Sequence, residues 1–311
     1  NCMAYICGEL PVTYTNDCKT INAWLMDNVN DNYTGESSAY TNTFLGFDVE
    51  AAPTLPWRTP MNANFIGRPA TVQLSTPYSS LVVHLSSKDV ISPLEALLSD
   101  RSILKVGAGV DEDMLELYRW NQSLDAKGRF DIGGVGSNSK RSRVGLQKLV
   151  RAIVGVELPK SKKTAMSDWS KIPLSSKQLV YASRDAWAGA AVMENLGRFH
   201  RDEMHVDLIS SLIQENEREM SDVDDRARRR KNARMKTKKI IADTKELASF
   251  LDGDKHSKFD RQSRLQDIMP KEVKEEMDRL QVILDETAPD GLLFFDPKDL
   301  GLDFSFVEKG R

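Results

Sequence analysis

Two acidic side chains at the end of an apolar segment are the first candidates for chemistry. The segment Phe44–Glu50 has the composition of a strand, and it ends with Asp48 and Glu50 two residues apart. Because side chains alternate between the two faces of a strand, residues two apart share a face, and both carboxylates point to the same side. Their repulsion raises both pKa values unless a cation lies between them, and a hard divalent ion fits such oxygen ligands. The alternative is an exposed strand end with two solvated acids.

A glycine-containing turn and a later helix supply two more acids and a tyrosine. A strand that ends at Val106 runs into a turn with Gly107 and Gly109, and Asp113 follows in the first part of a helix. An acid there is also favoured simply by the dipole at a helix N-terminus. Tyr181 and Asp185 are four residues apart in a predicted helix, so they share one face. A tyrosine and an aspartate at this spacing are equally typical of ordinary surface packing.

Taken together and in this order, the motifs resemble those of the DEDDy group of 3′-to-5′ exonucleases. In that group four acids hold two divalent ions, and a tyrosine helps to position the attacking water. Within the group the chain is most similar to the Werner-type exonuclease domain, over about residues 40–200. This similarity rests on the run Ser167–Leu174, on Gln178, Tyr181, Ala182, Asp185, Ala186, Ala188 and Gly189, and on the segments Phe130–Ile132 and Gly145–Val150.

The resemblance implies an RNase H-like α/β fold and a role for each residue of the motifs. Asp48 would bridge two metal ions, while Glu50 and Asp185 would complete the site that generates hydroxide. Asp113 would serve the second metal through water, and Tyr181 would hydrogen-bond the nucleophilic water. The cofactors would be two divalent cations, Mg²⁺ or Mn²⁺, which suit carboxylate ligands.

The implied reaction is metal-dependent hydrolysis of phosphodiester bonds from the 3′ end of DNA, with release of nucleoside monophosphates. DNA is favoured over RNA only by analogy with the Werner-type subgroup. An RNA-trimming enzyme like ribonuclease D is the enzymatic alternative, and a catalytically silent nucleic-acid-binding scaffold is the non-enzymatic one. No protein partner is identified; a helicase, if the protein works with one, would be supplied by a separate chain.

The chain departs from the pattern of these relatives at three places. Ala51 and Ala52 follow the two acids where relatives often carry a bulky residue, and Arg184 precedes Asp185 where a small or neutral residue is usual. The segment Gly133–Ser139 is rich in glycine and serine and is expected to be a loop. Arg184 would contact a phosphate or point to solvent. Two further clusters would follow a phosphate backbone or lie in solvated loops, namely Lys140, Arg141 and Arg143, and Lys160, Lys162 and Lys163.

The elements that position these residues are predicted from hydrophobic periodicity and turn residues. A meander of strands followed by alternating strands and helices predicts a mixed sheet of five to six strands with helices packed on it. Strands are predicted over Ile6–Tyr14, Thr43–Val49, Ala70–Ser75, Ser80–Leu85, Ile103–Val106 and Phe130–Ile132. Helices are predicted from Asn16 or Asp17 to Val29, and over Pro93–Leu98, Glu112–Trp120, Gly145–Val154 and Lys177–Leu196.

Composition divides the 311 residues into two parts. Residues 1–200 contain 21 basic and 20 acidic side chains and all five tryptophans. Residues 201–311 contain 22 basic and 26 acidic side chains and no tryptophan. We therefore expect an exonuclease domain over residues 1–205 and a charged, mainly helical C-terminal extension over residues 206–311. Cys2, Cys7 and Cys18 lack the spacing of a zinc site and are expected to be reduced thiols.

The extension contains a run of basic residues that has three interpretations. Nine of the 14 residues over Arg226–Lys239 are basic and none is acidic. The run is a nuclear import signal, a nucleic-acid-binding arm or the solvated face of a charged helix. Asp254–Gln262 is expected to be a linker, and Pro270–Leu284 a helix with one apolar face.

The remaining expectations concern location. No segment approaches the roughly 18 apolar residues of a membrane-spanning helix, so no membrane association is expected. The first residues match neither a secretory signal nor a transit segment, although a presequence is not excluded. An intracellular, and from the basic run a nuclear, location is predicted.

Overall fold

The computed structural model describes residues 10–29, 43–53, 68–134, 144–159, 161–199, 218–251 and 269–287. Six strands are present in these ranges, and they form one sheet. Their bounds are β1 Val12–Thr15, β2 Thr43–Ala51, β3 Pro69–Ser75, β4 Ser80–His84, β5 Ile103–Gly107 and β6 Arg129–Asp131.

The sheet is mixed, with the strand order β1-β4-β3-β2-β5-β6. The meander β2-β3-β4 is antiparallel, whereas β5 is parallel to β2, β6 to β5 and β1 to β4. This confirms the predicted mixed sheet, its number of strands and the hairpin that joins β3 to β4. The first strand begins later than predicted, at Val12; residues 6–9 of the prediction lie outside the described ranges.

Eight α-helices lie in the described ranges, and the predicted helices are confirmed within a few residues. Asp17 caps the first, because its Oδ2 accepts from the Thr20 backbone N–H at 2.9 Å. The helix predicted over Gly145–Val154 is a short α-helix that continues as a π-helical segment over Val150–Val154. The bounds are α1 Cys18–Val29, α2 Ile91–Ser99, α3 Val110–Trp120, α4 Leu146–Leu149, α5 Lys162–Ala165, α6 Ser176–Phe199, α7 Met220–Leu251 and α8 Lys271–Glu286.

The sheet and α6 approach each other closely because small residues line both sides of the contact between them. A Cβ added to Gly46 on β2 would lie 1.9 Å from the Ala186 carbonyl oxygen, and one added to Gly189 would lie 2.6 Å from the Val106 carbonyl oxygen. Ala190 is fully buried at the same contact. The backbones of strand and helix therefore touch directly, which fixes the position of α6 on β2.

A buried lysine joins β5 to the end of α2. The Lys105 ammonium donates to the backbone carbonyls of Leu97 at 3.2 Å, Asp100 at 2.7 Å and Ile103 at 2.9 Å. Two of these carbonyls belong to the C-terminal end of α2, where a cation is favoured. Burial lowers the pKa of Lys105 to about 7. Lys105 therefore fixes the strand that leads into the glycine-containing turn.

The described residues fall into two compact units, one up to Met220 and one from Ser221 onwards. The second consists of α7 and α8, and α8 confirms the helix predicted over Pro270–Leu284. The predicted domain boundary at residue 205 and the predicted linker lie outside the described ranges. Cys18 is a free thiol, as predicted. None of the helices that the structure describes combines the length and the apolar character needed to span a membrane.

Candidate active site

Three carboxylates converge where β2 passes under α6. Asp48 and Glu50 lie on one face of β2, and Asp185 lies on α6 immediately before the Ala186 contact with Gly46. One carboxylate oxygen from each of the three lies within 4.8 Å of the other two. The close approach of strand and helix therefore brings together acids that are far apart in the sequence. These are three of the four acids singled out from the sequence.

Asp113 approaches the same place from the first turn of α3. The turn that precedes it contains Gly109 at a φ of 92°, a backbone conformation that side chains with a Cβ rarely adopt. Asp131 at the end of β6 holds this turn, because its Oδ1 accepts from the Gly109 N–H at 3.0 Å and from the Gly133 N–H at 2.8 Å. Arg129 fixes the same helix turn through Asp111 at 3.0 Å.

Burial raises the pKa of all four acids, and repulsion between carboxylates adds to this effect for Asp48, Glu50 and Asp113. Burial and the charge of Asp185 raise the pKa of Asp48 well above its ordinary value. Burial, followed by Asp48 and Asp185, raises the pKa of Glu50 to about 9. Burial and Asp48 also raise the pKa of Asp113 far above normal, so Asp113 belongs to the same electrostatic cluster. For Asp185, burial raises the pKa, whereas its hydrogen bond with Tyr181 and the charge of Arg184 lower it.

This donor set fits divalent cations. The candidate ligands are all carboxylate oxygens, which Mg²⁺ and Mn²⁺ prefer, and those of Asp48, Glu50 and Asp185 lie within 4.8 Å of one another. The raised pKa values of Glu50 and Asp48 are what such a cluster shows when no cation offsets its charge. Asp48, Glu50 and Asp185 could hold one cation, and Asp113 is near enough to Asp48 to serve a second.

Tyr181 lies beside this cluster between an aromatic ring and a guanidinium. Its hydroxyl hydrogen-bonds Asp185, and its pKa is raised by burial and by the Asp185 charge, so it remains a phenol. The ring centroid of Trp169 is 6.1 Å from that of Tyr181, and the Arg184 guanidinium carbon is 5.9 Å from the Tyr181 ring. Gln178 holds the Trp169 loop against α6, donating to the Asp168 carbonyl at 3.0 Å.

Three of the predicted substrate-binding residues lie in the described ranges, namely Lys162, Lys163 and Arg184. Lys140, Arg141, Arg143 and Lys160 lie outside the described ranges, so their prediction is not tested. Lys162 and Lys163 lie exposed on α5. Arg184 does not point freely to solvent: its Nη2 donates to the Pro159 carbonyl at 3.1 Å, and its guanidinium lies against Tyr181.

Sequence reasoning did not assign a role to two residues that support the site. Asp131 and Trp169 were noticed only as parts of a resemblance, yet Asp131 holds the Gly109 turn and Trp169 is fully buried against Tyr181. In the sequence, Asp131 is an acid at the end of a short strand, and Trp169 is a tryptophan in a polar run. Neither signal identifies a contact across the fold, so the roles became visible only in three dimensions.

Replacing Glu50 with glutamine is expected to stabilise the metal-free chain increasingly as the pH rises. The folded pKa of about 9 lies above the ordinary 4.5, so the folded state holds its proton more tightly than the unfolded state. The stability associated with this proton is complete below pH 4.5 and is lost as the pH rises towards 9. Thermal unfolding in excess EDTA at pH 5 and pH 8 measures the effect. The control is Glu95→Gln, which changes an exposed acid on α2. A gain of equal size at both pH values would contradict it.

Comparison with known proteins places this site in a family. The family described as 3′-5′ exonuclease matches residues 43–199, which contain all four acids and Tyr181. An Arabidopsis thaliana 3′-5′ exonuclease is 30% identical over 150 residues, covering 47% of this chain and 49% of that protein. The bifunctional 3′-5′ exonuclease/ATP-dependent helicase WRN of Mus musculus is 30% identical over 157 residues, covering 49% of this chain and 11% of that protein.

Ribonucleases are also among the similar proteins. Ribonuclease D of Bartonella henselae is 28% identical over 120 residues, covering 37% of this chain and 28% of that protein. The crystal structure of the catalytic core of RRP6 from Trypanosoma brucei superimposes with a TM-score of 0.48 at 19% identity, covering 67% of this chain and 51% of that one. The chain spans about half the length, or less, of the curated relatives named here. The family match extends over half of the chain and includes its whole acidic cluster, and the chain belongs to the 3′-5′ exonuclease family.

Proposed function

We propose that the chain is a metal-dependent exonuclease that removes nucleoside monophosphates from the 3′ end of DNA, and that residues 1–205 carry this activity. The observation that supports it most is the convergence of Asp48, Glu50 and Asp185 within 4.8 Å. Such a cluster is electrostatically unfavourable by itself. A scaffold that only bound nucleic acid would gain nothing from acids in its cleft, because they repel phosphates.

Each side chain has a definite task in this proposal. Asp48, Glu50 and Asp185 would hold the cations through their carboxylate oxygens, and Asp113 would add a further acid beside them. When bound, two divalent cations lower the pKa of the attacking water and stabilise the charge that develops on the phosphate and on the leaving 3′ oxygen. Tyr181 stays protonated because its pKa is raised, so it orients the water as a hydrogen-bonding group and does not act as a base.

The choice of DNA rests on the similarity to the Werner-type domain. It is supported by the Ser167–Leu174 run and by the identity with the mouse protein. The second candidate is RNA, and the observation that favours it is the similarity to a ribonuclease D. Both candidates use the same acids, so the site alone does not separate them.

A panel of end-labelled substrates tests the proposal. Blunt, 3′-recessed and single-stranded DNA, and RNA of the same sequence, are incubated with Mg²⁺, with Mn²⁺ or with excess EDTA. We expect stepwise shortening from the 3′ end, release of nucleoside monophosphates, and faster cutting of DNA. Preferential cutting of RNA would establish the second candidate, whereas cutting in excess EDTA would overturn the metal-dependent reaction.

Replacing Tyr181 with phenylalanine is expected to lower kcat by roughly 10- to 1,000-fold, the range for one catalytic hydrogen bond. The ring contacts with Trp169 and Arg184 are kept, so the unfolding temperature should change little. Single-turnover cutting of DNA measures the rate, and Tyr78→Phe at the exposed β3–β4 turn is the control. An unchanged rate would make Tyr181 a packing residue.

A further inference from the structure

Seven of the nine basic residues in the run Arg226–Lys239 form two sets with different surroundings, while Arg228 pairs with Asp224 at 2.6 Å. The whole run lies on α7. Three of its arginines hold the C-terminal end of α8: Arg226 donates to the Glu286 carbonyl at 3.0 Å, Arg230 to the Leu284 carbonyl at 2.7 Å, and Arg229 to the Glu286 carboxylate at 3.2 Å. Cationic side chains at the C-terminal end of a helix donate hydrogen bonds to its last carbonyls, which have no partner within the helix. These three arginines therefore have a structural role within the α7–α8 unit.

The second set remains exposed. It consists of Arg234, Lys236, Lys238 and Lys239, which we call the outer basic set. The buried face of α7 is marked by Ala233, 2% exposed, and Thr244, 7% exposed. Around the helix, Arg234 and Lys238 lie to one side of this buried face, and Lys236 and Lys239 lie to the other side. Within the part of the chain that the structure describes, no member of the outer basic set forms an ion pair.

Along α7 the acid nearest to this set is Asp243, four residues after Lys239. No acid occurs in α7 between Asp225 and Asp243. The α8 acids Glu275 and Glu276 pair with bases of α8 itself, at distances between 3.6 and 4.0 Å, while Glu286 pairs with Arg229. Like charges three and four residues apart destabilise a helix, and a polyanion laid along it relieves this repulsion.

We propose that the outer basic set is a second binding surface for the phosphate backbone of the nucleic acid on which the active site acts. The identity of this partner rests on the proposed function. A receptor that reads the whole basic run would have to release Arg226, Arg229 and Arg230 from α8. A phosphate backbone needs only the side chains that are already exposed, which favours it over an import receptor.

A salt titration of binding tests the surface without any need for catalysis. Binding of labelled single-stranded DNA is measured between 50 and 200 mM salt in the full chain carrying Asp48→Asn, with and without Arg234→Gln, Lys236→Gln, Lys238→Gln and Lys239→Gln together. Each phosphate contact on a single strand contributes about 0.7 to the slope of log K against log salt, so four contacts contribute about 3. We expect the slope to fall by about 2 to 3, and the affinity at 50 mM salt to fall by roughly 10- to 100-fold.

The control removes charge from the same unit at another place. Lys271→Gln, Lys274→Gln and Arg279→Gln on α8 should leave the slope within about one contact of the parent. Because glutamine has a helix propensity close to that of lysine and arginine, circular dichroism should show α7 intact in both variants.

Three results would overturn the inference: a parent chain that does not bind nucleic acid, an outer-set variant with an unchanged slope, or an equal loss in the α8 control. An unchanged slope together with loss of nuclear accumulation would assign the run to import. A chain with intact Asp48 that binds DNA but never shortens it would sink the proposed function alone, because the slope is measured independently of cutting.

Discussion

Replacing Asp48 with asparagine is expected to lower kcat by roughly 10³-fold or more, about 4 kcal/mol of transition-state stabilisation, while the metal-free chain becomes more stable. Asp48 is the acid whose charge acts on both Glu50 and Asp113, so its loss affects both cation positions. The same substitution removes one of several like charges from a confined site. Each kcal/mol of repulsion removed should raise the unfolding temperature by roughly 2–4 °C.

Cutting of end-labelled DNA and thermal unfolding in EDTA measure the two effects in one preparation. Asp185→Asn should behave in the same way, because Asp185 belongs to the same group of three acids. Asp27→Asn, an exposed acid on α1, is the control and should change neither property. Full activity in either active-site variant would exclude these acids as metal ligands.

Replacing Gly46 with alanine is expected to destabilise the fold by roughly 3 kcal/mol or more. The added Cβ would lie 1.9 Å from the Ala186 carbonyl oxygen and 2.8 Å from the Ala190 nitrogen, and both of these atoms belong to the backbone of α6. A backbone cannot move aside as a flexible side chain does, so β2 and α6 must separate. Chemical denaturation measures the loss, and Gly145→Ala is a matched control because nothing lies within 4 Å of its added Cβ.

A separation of β2 from α6 would also disrupt the cluster of three acids. Asp48 follows Gly46 by two residues and Asp185 precedes Ala186, so moving α6 away moves the third acid away from the first two. At a temperature where the variant is still folded, we expect activity to fall as well. A variant as stable and as active as the parent would mean that the helix backbone adapts at little cost.

Local patterns predicted most of the elements, and the family resemblance singled out the four acids. The apolar composition of Phe44–Val49 indicated a strand, and the spacing of Tyr181 and Asp185 indicated a shared helix face, because both depend only on neighbours in the sequence. The structure confirmed the strand and the helix and placed Asp48, Glu50 and Asp185 together. Whether these residues act as metal ligands stays a prediction.

Contacts across the fold could not be predicted in this way. The support of the Gly109 turn by Asp131 depends on the pairing of β5 with β6, and the division of the basic run depends on where α8 ends. Arg184 was expected to meet a phosphate or solvent, yet Pro159 and Tyr181 engage it. In each case the partner lies on another element, and residue type alone does not reveal which element that is.

The direct contact between β2 and α6 also bears on the synthesis of the protein. On the ribosome, Asp48 and Glu50 emerge early, whereas Asp185 emerges only after every strand of the sheet has been made. Until Ala186 and Ala190 arrive, the surface of β2 around Gly46 lacks its cover, and the cluster lacks one of its three acids. If Asp185 is needed for the proposed hydrolysis, a nascent chain gains its activity only after α6 has been released.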